Sequence, residues 1–67
     1  MSVAKVTEIS VSSEKSFEHA IKKGVKRASK TLKNVTGAWV QEQKIAIKDG
    51  DVVEYRVNMK LTFVLDE

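Results

Sequence analysis

The chain carries one tryptophan, Trp39, in the stretch Thr36-Gly37-Ala38-Trp39-Val40-Gln41-Glu42-Gln43, and polar and cationic residues recur around it. Gly37, Gln41 and Gln43 alternate with it along one segment, and Arg56, Asn58 and Lys60 alternate along another. An indole, a guanidinium and carboxamides on one β-face can stack a planar heterocycle and hydrogen-bond its edge. The same set also suits a plainer role, because tryptophan is common at the centre of subunit interfaces. The two roles coexist if the ligand lies between subunits.

Other candidate chemistries are weaker. His19 has no second histidine, no cysteine and no nucleophile arranged near it, so it reads as a solvated helix residue and no catalytic residue is assigned. Asp49, Asp51 and Glu54, with Asp66 and Glu67, could gather calcium. That hard cation takes about six to eight oxygens, and the twelve-residue ligand loop is missing. Structural zinc wants four Cys or His ligands, which this chain lacks. No metal ligand is assigned.

What must position the tryptophan is a hairpin. Asp49-Gly50 between two alternating runs is the strongest short-range hairpin signal. Counting outward from a two-residue turn sets Lys48 against Asp51, Ile47 against Val52, Gln43 against Arg56 and Trp39 against Lys60. Side chains alternate between faces of a sheet. Val53, Tyr55, Val57, Met59, Leu61, Phe63 and Leu65 therefore share one face with Ala38, Val40 and Ala46. The opposite face is expected to carry Gly37, Trp39, Gln41, Gln43, Glu54, Arg56, Asn58, Lys60 and Thr62.

Ahead of the hairpin, Val3 to Val11 is rich in β-branched residues and reads as a strand. Ser13 is the expected helix N-cap, with Glu14 at the positive end of the dipole. Phe17, Ala20, Ile21, Gly24, Val25, Ala28 and Leu32 form a narrow helical stripe. Gly24 costs about 1 kcal/mol relative to Ala in a helix interior, and close approach to a sheet explains it. Asn34 is the expected C-cap. The fold class that follows is α+β: a β-α-β-β chain whose three-stranded antiparallel sheet wraps one helix.

Composition sharpens this. The formal charge is +3, but residues 15–33 hold seven basic side chains against one carboxylate. Lys22, Lys26, Lys30 and Lys33, flanked by Lys23 and Arg27, form a basic stripe on the helix. It reads first as a solvated face, because nucleic-acid binders usually interleave aromatics or add a motif. With 67 residues, no cysteine and no zinc site, association between subunits is the remaining source of stability. Charges near the N-terminus leave no secretory signal, no apolar run approaches the roughly 20 residues of a membrane span, and the chain reads as cytoplasmic.

At this point the ordered residues resemble a family. Val3-Ala4-Lys5-Val6, Ser13-Glu14-Lys15-Ser16-Phe17, Arg27-Ala28 with Thr31-Leu32, and Tyr55-Arg56-Val57 through Phe63-Val64-Leu65 are similar to the dodecins over the whole chain, 1–67, as one domain. The resemblance implies a hollow homododecamer with helices outside and sheets facing inward. It also implies flavin binding: family members stack riboflavin, FMN or FAD between tryptophans of two subunits, a glutamine meeting the ring edge. Some members hold coenzyme A. The family's stacking tryptophan falls on Gly37 and its glutamine on Arg56, while Trp39 lies two positions on, which preserves the face. Gly37 and Arg56 look more like the branch whose described ligand is calcium.

The sequence therefore supports a non-enzymatic homododecamer that sequesters or stores a flavin, with Trp39, Arg56, Gly37, Gln41, Gln43 and Asn58 as ligand-binding residues. The alternative is a similar shell without flavin that is calcium-binding, coenzyme A-binding or purely structural. Nucleic-acid binding through the basic helix ranks below both.

Overall fold

A computed structural model describes residues 2–65 of the chain. The element order is β1 (Ala4–Ser13), α1 (Phe17–Ala28), β2 (Val35–Lys48) and β3 (Asp51–Val64). The strands form one antiparallel sheet in the order β1-β3-β2, so the last strand is central. This is the expected α+β class, with one helix on a three-stranded antiparallel sheet.

The turn is built as its residues demand. Asp49 (φ 53) and Gly50 (φ 82) are both left-handed, as a type I′ turn requires. Lys48 pairs with Asp51 and Ile47 with Val52, as counted from the turn. Beyond that the ladder shifts. Val53 is an extra residue on β3 and Gln41 an extra residue on β2, so the two insertions cancel and Trp39 still faces Lys60. Between them the register is offset by one: Arg56 faces Lys44 rather than Gln43, and Gln43 faces Val57. A one-residue offset reverses the face of a strand. Gln43 therefore lies on the helix side, and Ala46, opposite Glu54, lies on the other.

The helix boundaries also differ from expectation. Ser16, not Ser13, is the N-cap, its Oγ accepting from the His19 N–H at 2.9 Å. Ser13 is buried instead; its Oγ accepts from the Lys15 N–H at 3.0 Å and sits 2.6 Å from His19 Nδ1. His19 is exposed, as expected, and its ring also hydrogen-bonds the strand–helix connection. The helix stops at Ala28 with Ser29 as its C-cap, so Lys30 and Lys33 lie beyond it. Asn34, left-handed at φ 61, instead ties the start of β2 to Val64 of β3 by hydrogen bonds in both directions.

The helix buries Ala20, Gly24 and Ala28 against β1 and β3. Gly24 is a point of close approach: a Cβ there would lie 2.5 Å from Val11 Cγ2 and 2.6 Å from Met59 Cε. Ala20, Val57 and Met59 centre the core, with Ile9, Val11, Phe17, Ile21 and Val25 packed on them. Phe17 meets Tyr55 edge to face, centroids 5.1 Å apart.

One helix leaves much uncovered. Its 12 residues span about 18 Å, whereas each 14-residue strand of the hairpin spans about 46 Å. Every position of β2 from Thr36 to Ile45 is exposed. The molecule measures 52 × 19 × 13 Å, and its radius of gyration of 13.9 Å exceeds the roughly 11 Å of a compact domain this long. Its accessible surface of 5027 Å² likewise exceeds the about 4,200 Å² expected for a 7.5 kDa monomer.

Candidate functional site

The sheet face away from the helix is the candidate site. The register lays it out in rows across β1, β3 and β2. Val6, Thr62 and Gly37 make one row; Glu8, Lys60 and Trp39 the next. Then follow Ser10, Asn58 and Glu42, and after them Ser12, Arg56 and Lys44. β3 supplies the polar spine of this face because its odd positions, Val57, Met59 and Leu61, go to the core.

Trp39 is 47% exposed and sits where expected, on this uncovered face. Lys60 Nζ lies 6.0 Å from its ring centroid, at the outer limit of a cation–π contact. Gly37, one row away, has nothing within 4 Å of the place a Cβ would occupy, so that side of the indole is open.

On the other side of Trp39 lies a shallow depression of about 170 Å³ lined by Ser10, Glu42, Lys44, Arg56 and Asn58. Its charges are already partly matched within the chain. Asn58 Nδ2 donates to Glu42 Oε1 at 3.4 Å, Lys44 Nζ lies 3.9 Å from Glu42 Oε2, and Arg56 Nε pairs with Glu54 Oε1 at 2.5 Å. A guanidinium has five N–H donors, so this pair leaves others free to point outward. The depression is smaller than the about 300 Å³ at which small-molecule pockets begin.

Of the expected ligand-binding residues, the fold brings Trp39, Gly37, Arg56 and Asn58 to this face. Gln41 sits in the bulge, and Gln43 is turned to the helix side. Arg56 stands four residues along β3 from Lys60, about 13 Å at the usual strand rise, so it can meet only the far end of a molecule stacked on Trp39. Glu42, Lys44 and Ser10 join the site without having been singled out from sequence. A usable signal was present: apolar positions on β2 change parity between Ala38-Val40 and Ile45-Ile47, which marks an inserted residue between them.

The carboxylates do not gather. Among the described residues no group of three or more His, Cys, Asp or Glu could hold a metal ion; Asp66 and Glu67 lie outside the described residues. Among them, too, no helix is long and apolar enough to cross a membrane.

The fold and site together define a small α+β protein with one helix-covered sheet face and one open, tryptophan-bearing face. The family model for dodecin matches residues 3–66, and the chain belongs to the dodecin family. No curated protein matches. Among solved structures, a dodecin from Streptomyces davaonensis is 36% identical with a TM-score of 0.93, covering 98% of this chain and 97% of its own. A dodecin variant from T. thermophilus is 34% identical with a TM-score of 0.94, covering 100% and 98%. Calcium dodecin from Mycobacterium tuberculosis, described as calcium-chelating with a novel calcium-binding site, is 31% identical with a TM-score of 0.82, covering 96% and 91%.

Proposed function

We propose that this single-domain protein is a non-enzymatic cytoplasmic dodecin that assembles as a homododecamer and sequesters a flavin at the open sheet face. The observation that carries the proposal is the placement of Trp39: a large aromatic, half exposed, on a face that no part of its own chain covers. Exposed apolar surface of this kind is normally an interaction site. A second subunit laid on this face covers the indole and completes the depression beside it. Riboflavin, FMN or FAD then stacks on Trp39, with Asn58 reaching the ring edge and Arg56 meeting the far end of the ligand, where FMN and FAD carry phosphate. Gly37 leaves room for the ring, and Gln41 in the bulge borders it.

A second reading is favoured by the likeness to calcium dodecin and by Gly37 and Arg56 at the family's tryptophan and glutamine positions. In that reading the shell holds calcium, or coenzyme A, or no small molecule, and Trp39 only packs between subunits. Native mass measurement separates the readings. The first predicts a species of about twelve times the 7.5 kDa chain mass that gains mass in steps of one flavin. An assembly that takes up calcium and never flavin establishes the second.

A further inference from the structure

The sheet's open face uses none of the charge on the helix. α1 turns Ala20, Gly24 and Ala28 inward, which leaves Lys22 and Lys26 on its outer side and the exposed Lys23 and Arg27 along its flank. Lys23, Lys26, Arg27 and Lys30 line one surface cleft of about 240 Å³, and no carboxylate lines it with them. Lys22 is occupied by Glu18 at 2.9 Å, and Lys23 Nζ reaches the Ser12 carbonyl at 3.4 Å. Lys26, Arg27 and Lys30 take part in no ion pair among the described residues. Four like charges around one cleft repel one another, and a polyanion relieves that repulsion.

We propose that this cleft binds the phosphate backbone of double-stranded nucleic acid without reading its sequence. Several features select that partner. Single strands are held by aromatic stacking, and the one aromatic of this helix, Phe17, is packed on Tyr55. Adenine edges are read by Asn or Gln and cytosine by Asp or Glu; the cleft has none of these, only cationic groups that serve phosphates equally well. A membrane-surface helix must bury its apolar side in lipid, whereas this one spends that side on the sheet. Lysine and arginine are the side chains that neutralise backbone phosphates. The cleft lies on the helix side of the sheet, away from Trp39, so a ligand bound at the open face leaves it accessible.

The test is duplex binding by the intact assembly across a salt series. For one patch making four phosphate contacts the logarithm of affinity should fall with log salt at a slope of about −3.6, losing about 150-fold between 50 and 200 mM. Two duplexes of unrelated sequence should bind alike. A triple variant, Lys26→Glu with Arg27→Glu and Lys30→Glu, should lose nearly all binding while keeping native mass and circular dichroism. If that variant fails to fold, the salt slope of the unmodified protein decides alone. The proposal is overturned by no duplex binding at the lower salt, by a flat salt dependence, or by a folded variant that binds as before. Capture by phosphatidylserine vesicles without any duplex shift also overturns it.

Discussion

Val40 and Met59 oppose one another across the hairpin, on the same side of the sheet, yet Met59 is 0% exposed and Val40 39%. The helix makes the difference. It packs on β1 and β3 and stops short of β2. One half of the molecule is therefore finished by its own chain: a narrow stripe of small helix residues lets Gly24 approach Val11 and Met59, and a compact core closes around Val57, Met59 and Leu61. The other half, β2 with Trp39, Ile45 and Ile47, has β-branched and aromatic residues that suit a covered strand and nothing to cover them. This half contributes to the surface in excess of an ordinary monomer's, and it leaves apolar side chains open to association.

Neighbouring substitutions on β3 test this contrast most strongly. Met59→Ala empties the core and should cost about 2–5 kcal/mol. Lys60→Ala, one residue along and on the other face, should stay within about 0.5 kcal/mol. Denaturant unfolding at one fixed protein concentration measures both, and equal costs would erase the distinction between the faces. The glycines give the next largest difference. Gly24→Ala drives a methyl group into Val11 and Met59 and should cost about 1–3 kcal/mol. Gly37→Ala meets nothing within 4 Å and should leave the stability of the fold nearly unchanged.

The smallest effect lies on the outside of the helix. The Lys22 ammonium, by hydrogen bond and charge, holds the fully exposed Glu18 carboxyl below its ordinary range. A carboxyl whose pKa is lowered on folding contributes stability above its unfolded pKa and loses it as pH falls through the folded value. Glu18→Gln should accordingly lower stability very slightly at neutral pH, the difference from the unmodified protein vanishing as pH falls below the folded value. A large change at neutral pH would show that the pair has a role this surface position does not suggest.

How far the sequence discloses all this depends on the element. Asp49-Gly50 announces its turn because only a few residues accept two left-handed conformations in succession. Gly24 announces close packing because nothing else justifies it in a helix. Trp39 opposite Lys60 is also legible, although by compensation: the insertion at Val53 is undone by the one at Gln41. Between those bulges the count fails, and Gln43 is turned to the wrong side. The run Gln41-Glu42-Gln43 is polar throughout, so it carries no alternation that would expose the slip locally. The N-cap was obscured for a similar reason. Ser12, Ser13 and Ser16 all suit the role chemically, and only the chain path shows that Ser13 serves the connection and Ser16 the helix. What the open face holds is not written in one chain, whose depression there is smaller than a small-molecule pocket.

The most direct test of the central claim, that Trp39 on the uncovered face is where a flavin is held, is a titration of riboflavin or FMN fluorescence with the unmodified protein and with Trp39→Ala. The unmodified protein should quench strongly, and Trp39→Ala should lose the quenching at unchanged native mass. Flavin that stays fully fluorescent at micromolar unmodified protein, or quenching that survives the substitution, would contradict it.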